Sequence, residues 1–237
     1  MAGRNLSETA LGLINSAPHI RINHIKKPVF IPYSRATELL DEMESILEHP
    51  KINRMPNILI VARPDNGKTE LLREFLVRHP AEERRKLDAI YAPVIYIQSP
   101  PGPDENLFLE RLLRMLGQEV KKNDSPGTKL NQLLEVLPKI GTKVILIDEL
   151  NALLAGSATK QRFFLNMLKF ISNDLRISFV AAGTEDALHA ISADGQNKSR
   201  FPKRILPRWQ DGPEFRSLLA SFEQILPLKE ESHMYKG

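Results

Sequence analysis

Residues 57–69 read NILIVARPDNGKT. Asn57 to Ala62 is short and continuously apolar, which fits a strand buried on both faces. A helix is expected from Lys68 to His79, with Leu71, Leu72, Phe75 and Leu76 on one side and Pro80 as its stop. Between strand and helix, Ala62-Arg63-Pro64-Asp65-Asn66-Gly67-Lys68-Thr69 fits a phosphate-binding loop, with alanine where a first glycine is commoner. Such a loop turns successive backbone N–H groups inward, and the helix adds its positive end. Gly67 lets the backbone come close to a phosphate without a Cβ in the way. Lys68 brings a point charge to the β- and γ-phosphates, and Thr69 offers its hydroxyl to Mg²⁺. The candidate nucleotide-binding segment therefore runs from Ala62 through Glu70. If Ala62 had to adopt a positive φ, it would cost about 1 kcal/mol or more.

Further strands are expected at Pro93–Gln98 (PVIYIQ), Lys143–Asp148 (KVILID), Ile177–Ala182 (ISFVAA) and, more briefly, Lys203–Leu206. Helices are expected at 34–49, from Asp104 (an N-cap) to about Leu116 with Gly117 at its end, at 130–137 and at 159–173. Strands that alternate with helices imply a parallel sheet covered on both faces. Three parts are expected along the chain: an irregular basic arm (1–33), the main domain (34–228) and a short polar tail (229–237).

VILIDE, Val144 to Glu149, places two acids at the end of an apolar strand. The carboxyl ends of parallel strands form the crevice where open α/β sheets bind ligands. There Asp148 can hold Mg²⁺ through its water shell, and Glu149 can polarise an attacking water. Gly183-Thr184 ends the fourth strand, where Thr184 either contacts the γ-phosphate or water, or forms a plain turn. Arg200, Arg204 and Arg208 lie in SRFPKRILPRW. One of them, Arg200 or Arg204 in the first place, is a candidate arginine finger; the alternative is a solvated basic stretch. Trp209 is assigned to packing, and the six histidines show no ligand spacing.

The composition fits this picture. With 237 residues, 42% apolar and 26% charged, the chain can bury a full core. It has no cysteine, which excludes disulfides and thiolate chemistry and fits a reducing compartment. The net charge of +4 permits contact with nucleic acid without demanding it. No apolar run is long enough to cross a bilayer and MAGRNLSETA lacks a secretory pattern, so a cytoplasmic protein with no membrane partner is expected.

Taken in order, NILIVARPDNGKTELLREF, PVIYIQSPPGPDENLFLERLL, KVILIDELNALL, FVAAGTEDALHAI and RFPKRILPRW with FRSLLASFEQILPL resemble the TniB/TnsC family of transposition ATPases within AAA+. The resemblance covers roughly residues 30–228 and implies a P-loop NTPase fold, a five-stranded, mostly parallel sheet sandwiched by helices. It implies ATP and Mg²⁺ as cofactors and rings or filaments of identical subunits on double-stranded DNA. It also implies an adaptor role between target-selector proteins and a transposase. By position, Lys68 and Thr69 match the Walker A pair, and Asp148 and Glu149 the Walker B pair. Thr184 matches the sensor, and Arg200 or Arg204 the finger region. The family continues into a small helical lid, whereas here KEESHMYKG follows. The expectation is a core without that lid. The alternative function is an ATP-dependent DNA- or partner-binding module without effective hydrolysis, or a truncated inactive copy. DNA contact is expected to run through the phosphate backbone, with steep salt dependence.

Overall fold

The strand before the loop, β1 (Ile58–Val61), is buried at every position, as are β5 (Val144–Asp148) and β6 (Ser178–Gly183). These are the three continuous apolar runs, and burial on both faces is what such runs require. The computed structural model describes residues 6–84, 89–102, 104–153, 156–192 and 199–235. With β4 (Val94–Gln98) and β7 (Lys203–Ile205) the strands form one five-stranded sheet in the order β4-β5-β6-β1-β7. Every pairing in it is parallel. This is the parallel α/β sheet that the strand–helix alternation implied, with the five strands that the family resemblance implied.

Alternation along the strands sorts the core into two faces. Leu59, Ile95, Ile97, Ile145, Ile147, Phe179 and Ala181 share one hydrophobic cluster with α5 (Glu105–Met115), α6 (Pro126–Lys139) and α8 (Ala158–Leu175). Phe108 and Phe164 meet edge to face at its centre, 5.2 Å apart. The intervening positions, Tyr96, Leu146 and Asp148 among them, belong to the opposite face, where α4 (Lys68–Arg78) packs on β4, β5 and β6. Beside α4 runs α3 (Ser34–Leu47), whose Glu44 carboxylate meets the His79 ring at 2.9 Å.

Local signals set the element ends. Asp104 caps α5 by accepting the Leu107 N–H at 3.0 Å. Gly117 follows that helix in the left-handed region, φ 72°. Ser125 and Pro126 start α6 four residues earlier than the apolar spacing suggested, because the cap and the N1 proline precede the first apolar contact. A small antiparallel ribbon, β2 (Glu82–Arg84) with β3 (Ala89–Tyr91), was not anticipated; its strands are too short to show a period. Two further helices, α7 (Leu150–Leu153) and α9 (Glu185–Ser192), follow β5 and β6.

Contacts divide the chain into two compact units, one of 38–207 and one of 1–37 with 208–237. The boundaries expected at 33/34 and 228/229 do not coincide with this division. Within the second unit, the stretch read as an irregular arm carries α1 (Glu8–Leu13) and α2 (Pro18–Ile25). Ser7 caps α1, and Pro18 occupies the first turn of α2, a position where proline favours a helix. The last helix, α10 (Pro213–Ile225), holds its neighbours through backbone acceptors: Ser7 N–H donates to Gln224 O at 2.9 Å, and the Arg21 guanidinium to Pro227 O at 2.7 Å. Trp209 packs between Tyr33, at 4.6 Å, and Phe215, at 5.8 Å. The polar end of the chain is anchored as well, since Glu223 Oε1 accepts the N–H groups of Ser232 and His233. No helix among the described residues is long and apolar enough to cross a membrane.

Candidate functional site

The loop from Ala62 to Thr69 sits at the carboxyl end of the sheet, pinned at two residues. Ala62 N–H donates to Gly183 O at 3.1 Å, which ties the loop's start to the end of β6. The buried Asn66 amide donates to the carbonyls of Leu206 and Pro207, both at 2.9 Å, which ties its middle to the chain beyond β7. Gly67 caps α4 at φ 83°, a left-handed conformation that glycine adopts at no steric cost. Asp65 is also left-handed, at φ 57°, and aspartate is among the residues that tolerate it. Ala62 is not among the positive-φ residues, so alanine there carries no backbone strain. Arg63 is exposed on the loop's outer side.

Lys68 is buried at 4% exposure, and its ammonium donates to the carbonyls of Arg63 (2.9 Å) and Ala62 (3.3 Å). A lysine charge held inside a loop by two of its three donors is fixed in place. Thr69 Oγ1 donates to Asp148 Oδ2 at 2.7 Å. Asp148 is 1% exposed; its Oδ1 accepts the Glu149 N–H at 2.9 Å, and its backbone carbonyl accepts the Ser99 N–H at 2.9 Å. Glu149 itself is left-handed, φ 54°, a conformation uncommon for such a residue. Its neighbours Asp148 and Leu150 thereby stay buried while the chain turns directly from β5 into α7.

Three consecutive strands end beside orphaned polar atoms. Ser99 Oγ after β4, Asn151 Oδ1 after β5 and Thr184 Oγ1 after β6 are buried without a hydrogen-bond partner among the described residues. Unsatisfied buried oxygens are costly and uncommon in folded proteins. They lie at the same end of the sheet as the loop. Gly183 keeps that corner tight: a Cβ there would lie 2.8 Å from Ala187 Cβ and 3.6 Å from Asn151 Oδ1.

The family model described as "Bacterial TniB protein" matches residues 21–211. The chain belongs to the TniB family. No curated protein matches it. Among solved structures, this TniB-family chain is similar to the Aeropyrum pernix ORC1 protein in complex with DNA, at TM-score 0.62 and 19% identity over 85% of this chain and 52% of that one. It is similar to the Aeropyrum pernix ORC2 protein in ADPNP-ADP complexes, at 0.62 and 17% over 86% and 55%. A third is AMPPCP-bound DnaA from Aquifex aeolicus, at 0.51 and 17% over 87% and 57%. The chain spans about half the length of these proteins. The likeness is one of fold.

Within this TniB-family fold, Lys68, Thr69, Asp148, Glu149 and Thr184 gather at the carboxyl edge of neighbouring strands. Two of the three arginines are engaged elsewhere in the chain. Arg200 donates to Asn173 Oδ1 at 2.7 Å. Arg204, on β7, forks onto the Glu42 carboxylate of α3, with Nε at 2.6 and 2.9 Å from its oxygens. Hydrogen bonds to that carboxylate, and then its charge, raise the Arg204 pKa, with partial burial opposing. Arg208 falls in the unit of 1–37 and 208–237.

Sequence reasoning missed three members of the site, Tyr96, Asn151 and Ser99. Tyr96 OH donates to Asp148 Oδ2 at 2.9 Å. Burial, then the Asp148 charge and that hydrogen bond, push the Tyr96 pKa up to about 12, with Arg73 opposing. Register was the hidden signal: Gln98 pairs with Asp148, so Tyr96, two residues back on the same face, stands diagonally across from the acid.

Proposed function

We propose that this TniB-family chain binds ATP with Mg²⁺ at the Ala62–Glu70 loop, hydrolyses it, and serves DNA transposition as an adaptor between target DNA and transposase. The observation that carries the reading is the Thr69–Asp148 contact at 2.7 Å, in the first turn of the helix that Gly67 and Lys68 open. It joins the two halves of a nucleotide site across the sheet. Backbone N–H groups of the loop and the α4 N-terminus receive the phosphates. Lys68 supplies the charge at the β/γ end.

The donors suit magnesium, a hard cation that takes oxygen ligands. Thr69 Oγ1 and the Asp148 carboxylate would hold it, Asp148 through the cation's water shell. When bound, the cation neutralises phosphate charge. Glu149 is the base for the attacking water, and Thr184 with its unpartnered hydroxyl orients the γ-phosphate or that water. Arg200 and Arg204 are the candidate fingers toward a neighbouring copy in a ring or filament; Arg204 would first have to leave Glu42.

Double-stranded DNA is the partner, through its phosphates. Support comes from charge placement: no acid occurs from Thr9 to Thr37, a stretch that holds Arg21, Lys26, Lys27 and Arg35. Transposase and target-selector proteins are the other partners, and the setting is cytoplasmic.

The experiment is nucleotide binding and phosphate release, with and without duplex DNA, at two salt concentrations. DNA should stimulate release at the lower salt. Lys68→Ala should abolish binding, whereas Glu149→Gln should keep binding and lose turnover. Binding without turnover in the unaltered chain would leave a nucleotide-dependent binding module in its place. No binding at all would overturn both.

A further inference from the structure

The Asp148 carboxylate is held from three elements. Oδ1 takes the N–H of Glu149, and Oδ2 takes the hydroxyls of Thr69 on α4 and Tyr96 on β4. A carboxylate offers about four lone-pair directions. Three are filled here, so one direction on Oδ1 remains. The rotation of the group about its Cβ–Cγ bond decides where that last lone pair points. The backbone N–H constrains Oδ1, while Thr69 from α4 and Tyr96 from the edge strand of the sheet constrain Oδ2.

The Tyr96 side chain is only half-buried, yet its hydroxyl takes the oxygen that Thr69 already uses. Packing of the ring alone would be met by phenylalanine. We propose that Tyr96 is a positioning residue for the divalent cation of the bound nucleotide: its hydroxyl fixes the Asp148 carboxylate in the orientation that serves the cation. The proposal rests on the nucleotide-and-magnesium reading above. Partners in the shell behind metal ligands are worth about 10- to 100-fold in metal affinity or activity.

The test uses the full chain, Tyr96→Phe, a fluorescent ATP analogue and magnesium chloride. Affinity for the analogue is measured in EDTA and then across a Mg²⁺ titration, with the melting temperature alongside. Tyr96→Phe should leave metal-free affinity unchanged and raise the Mg²⁺ concentration for half-maximal tightening by about 10-fold. Thr69→Val should shift the same titration, as a control for sensitivity. Superimposable Mg²⁺ titrations in Tyr96→Phe and the unaltered chain would overturn the proposal while leaving the nucleotide reading intact. An equal loss of metal-free affinity would also overturn it, since the hydroxyl would then be supporting the pocket in general. If the unaltered chain binds the analogue under neither condition, the nucleotide reading fails and takes this proposal with it.

Discussion

Thr69 Oγ1 and Asp148 Oδ2 lie 2.7 Å apart although 79 positions separate them in the chain. The hydroxyl belongs to the first turn of α4, and the carboxylate ends β5. Their contact joins the loop to the acidic strand end, so a change at either residue should be felt at both.

Thr69→Val keeps the shape of the side chain and removes the hydroxyl. Asp148 Oδ2 would retain its bond from Tyr96, so the fold should survive, with a loss of about 1 kcal/mol. Nucleotide affinity measured with Mg²⁺ should fall more than affinity measured in EDTA. Equal losses under both conditions would mean that the hydroxyl serves only the packing of the loop.

Gly183→Ala should destabilise the domain by about 1–3 kcal/mol, the usual cost of overpacking. The new Cβ would stand 2.8 Å from Ala187 Cβ, both on buried backbone, so α9 would have to move. Chemical denaturation gives the loss directly. Unchanged stability would show that α9 yields freely.

Glu42 and Arg204 should couple in a double-mutant cycle. Each single alanine variant strands the other's charge, whereas the double variant strands neither, so the effects on melting temperature should be less than additive. Additive losses would show the pair to be two independent surface groups.

Acid should loosen the α5–α6 pair. Hydrogen bonds from Lys129 first, and then from Arg114, lower the Glu110 pKa below its ordinary 4.5. A carboxylate whose folded pKa is depressed contributes stability above its unfolded pKa and loses it as pH falls through the folded value. The loss should therefore begin below about 4.5, where the buried Lys129 loses its partner. Glu110→Gln should lower the melting temperature at neutral pH and flatten this part of the acid limb. Asp211, lowered by Arg216, should keep its own share of the acid dependence. An unchanged acid limb in Glu110→Gln would refute the assignment.

The sequence by itself determined the strands, the loop and the helix that follows it. Continuous apolar runs, the punctuation by Pro80 and Gly117 and the Asp104 cap are local signals, and local signals survive without a partner. It also placed Lys68, Thr69, Asp148 and Glu149 at the right ends of their elements, because a motif of fixed spacing on a parallel strand has one available end. Only the tertiary structure decided which side chains meet. Strand order and register put Tyr96 diagonally from Asp148, and neither can be read from β4 or β5 alone. The sheet edge set Arg204 against Glu42, 162 positions away. The helices α1 and α2 escaped the sequence reading because α2 buries no side chain and α1 buries only Ala10, so no apolar period marks them. Pairing between distant segments depends on what each can bury against the other, and that is settled only once the whole chain has folded.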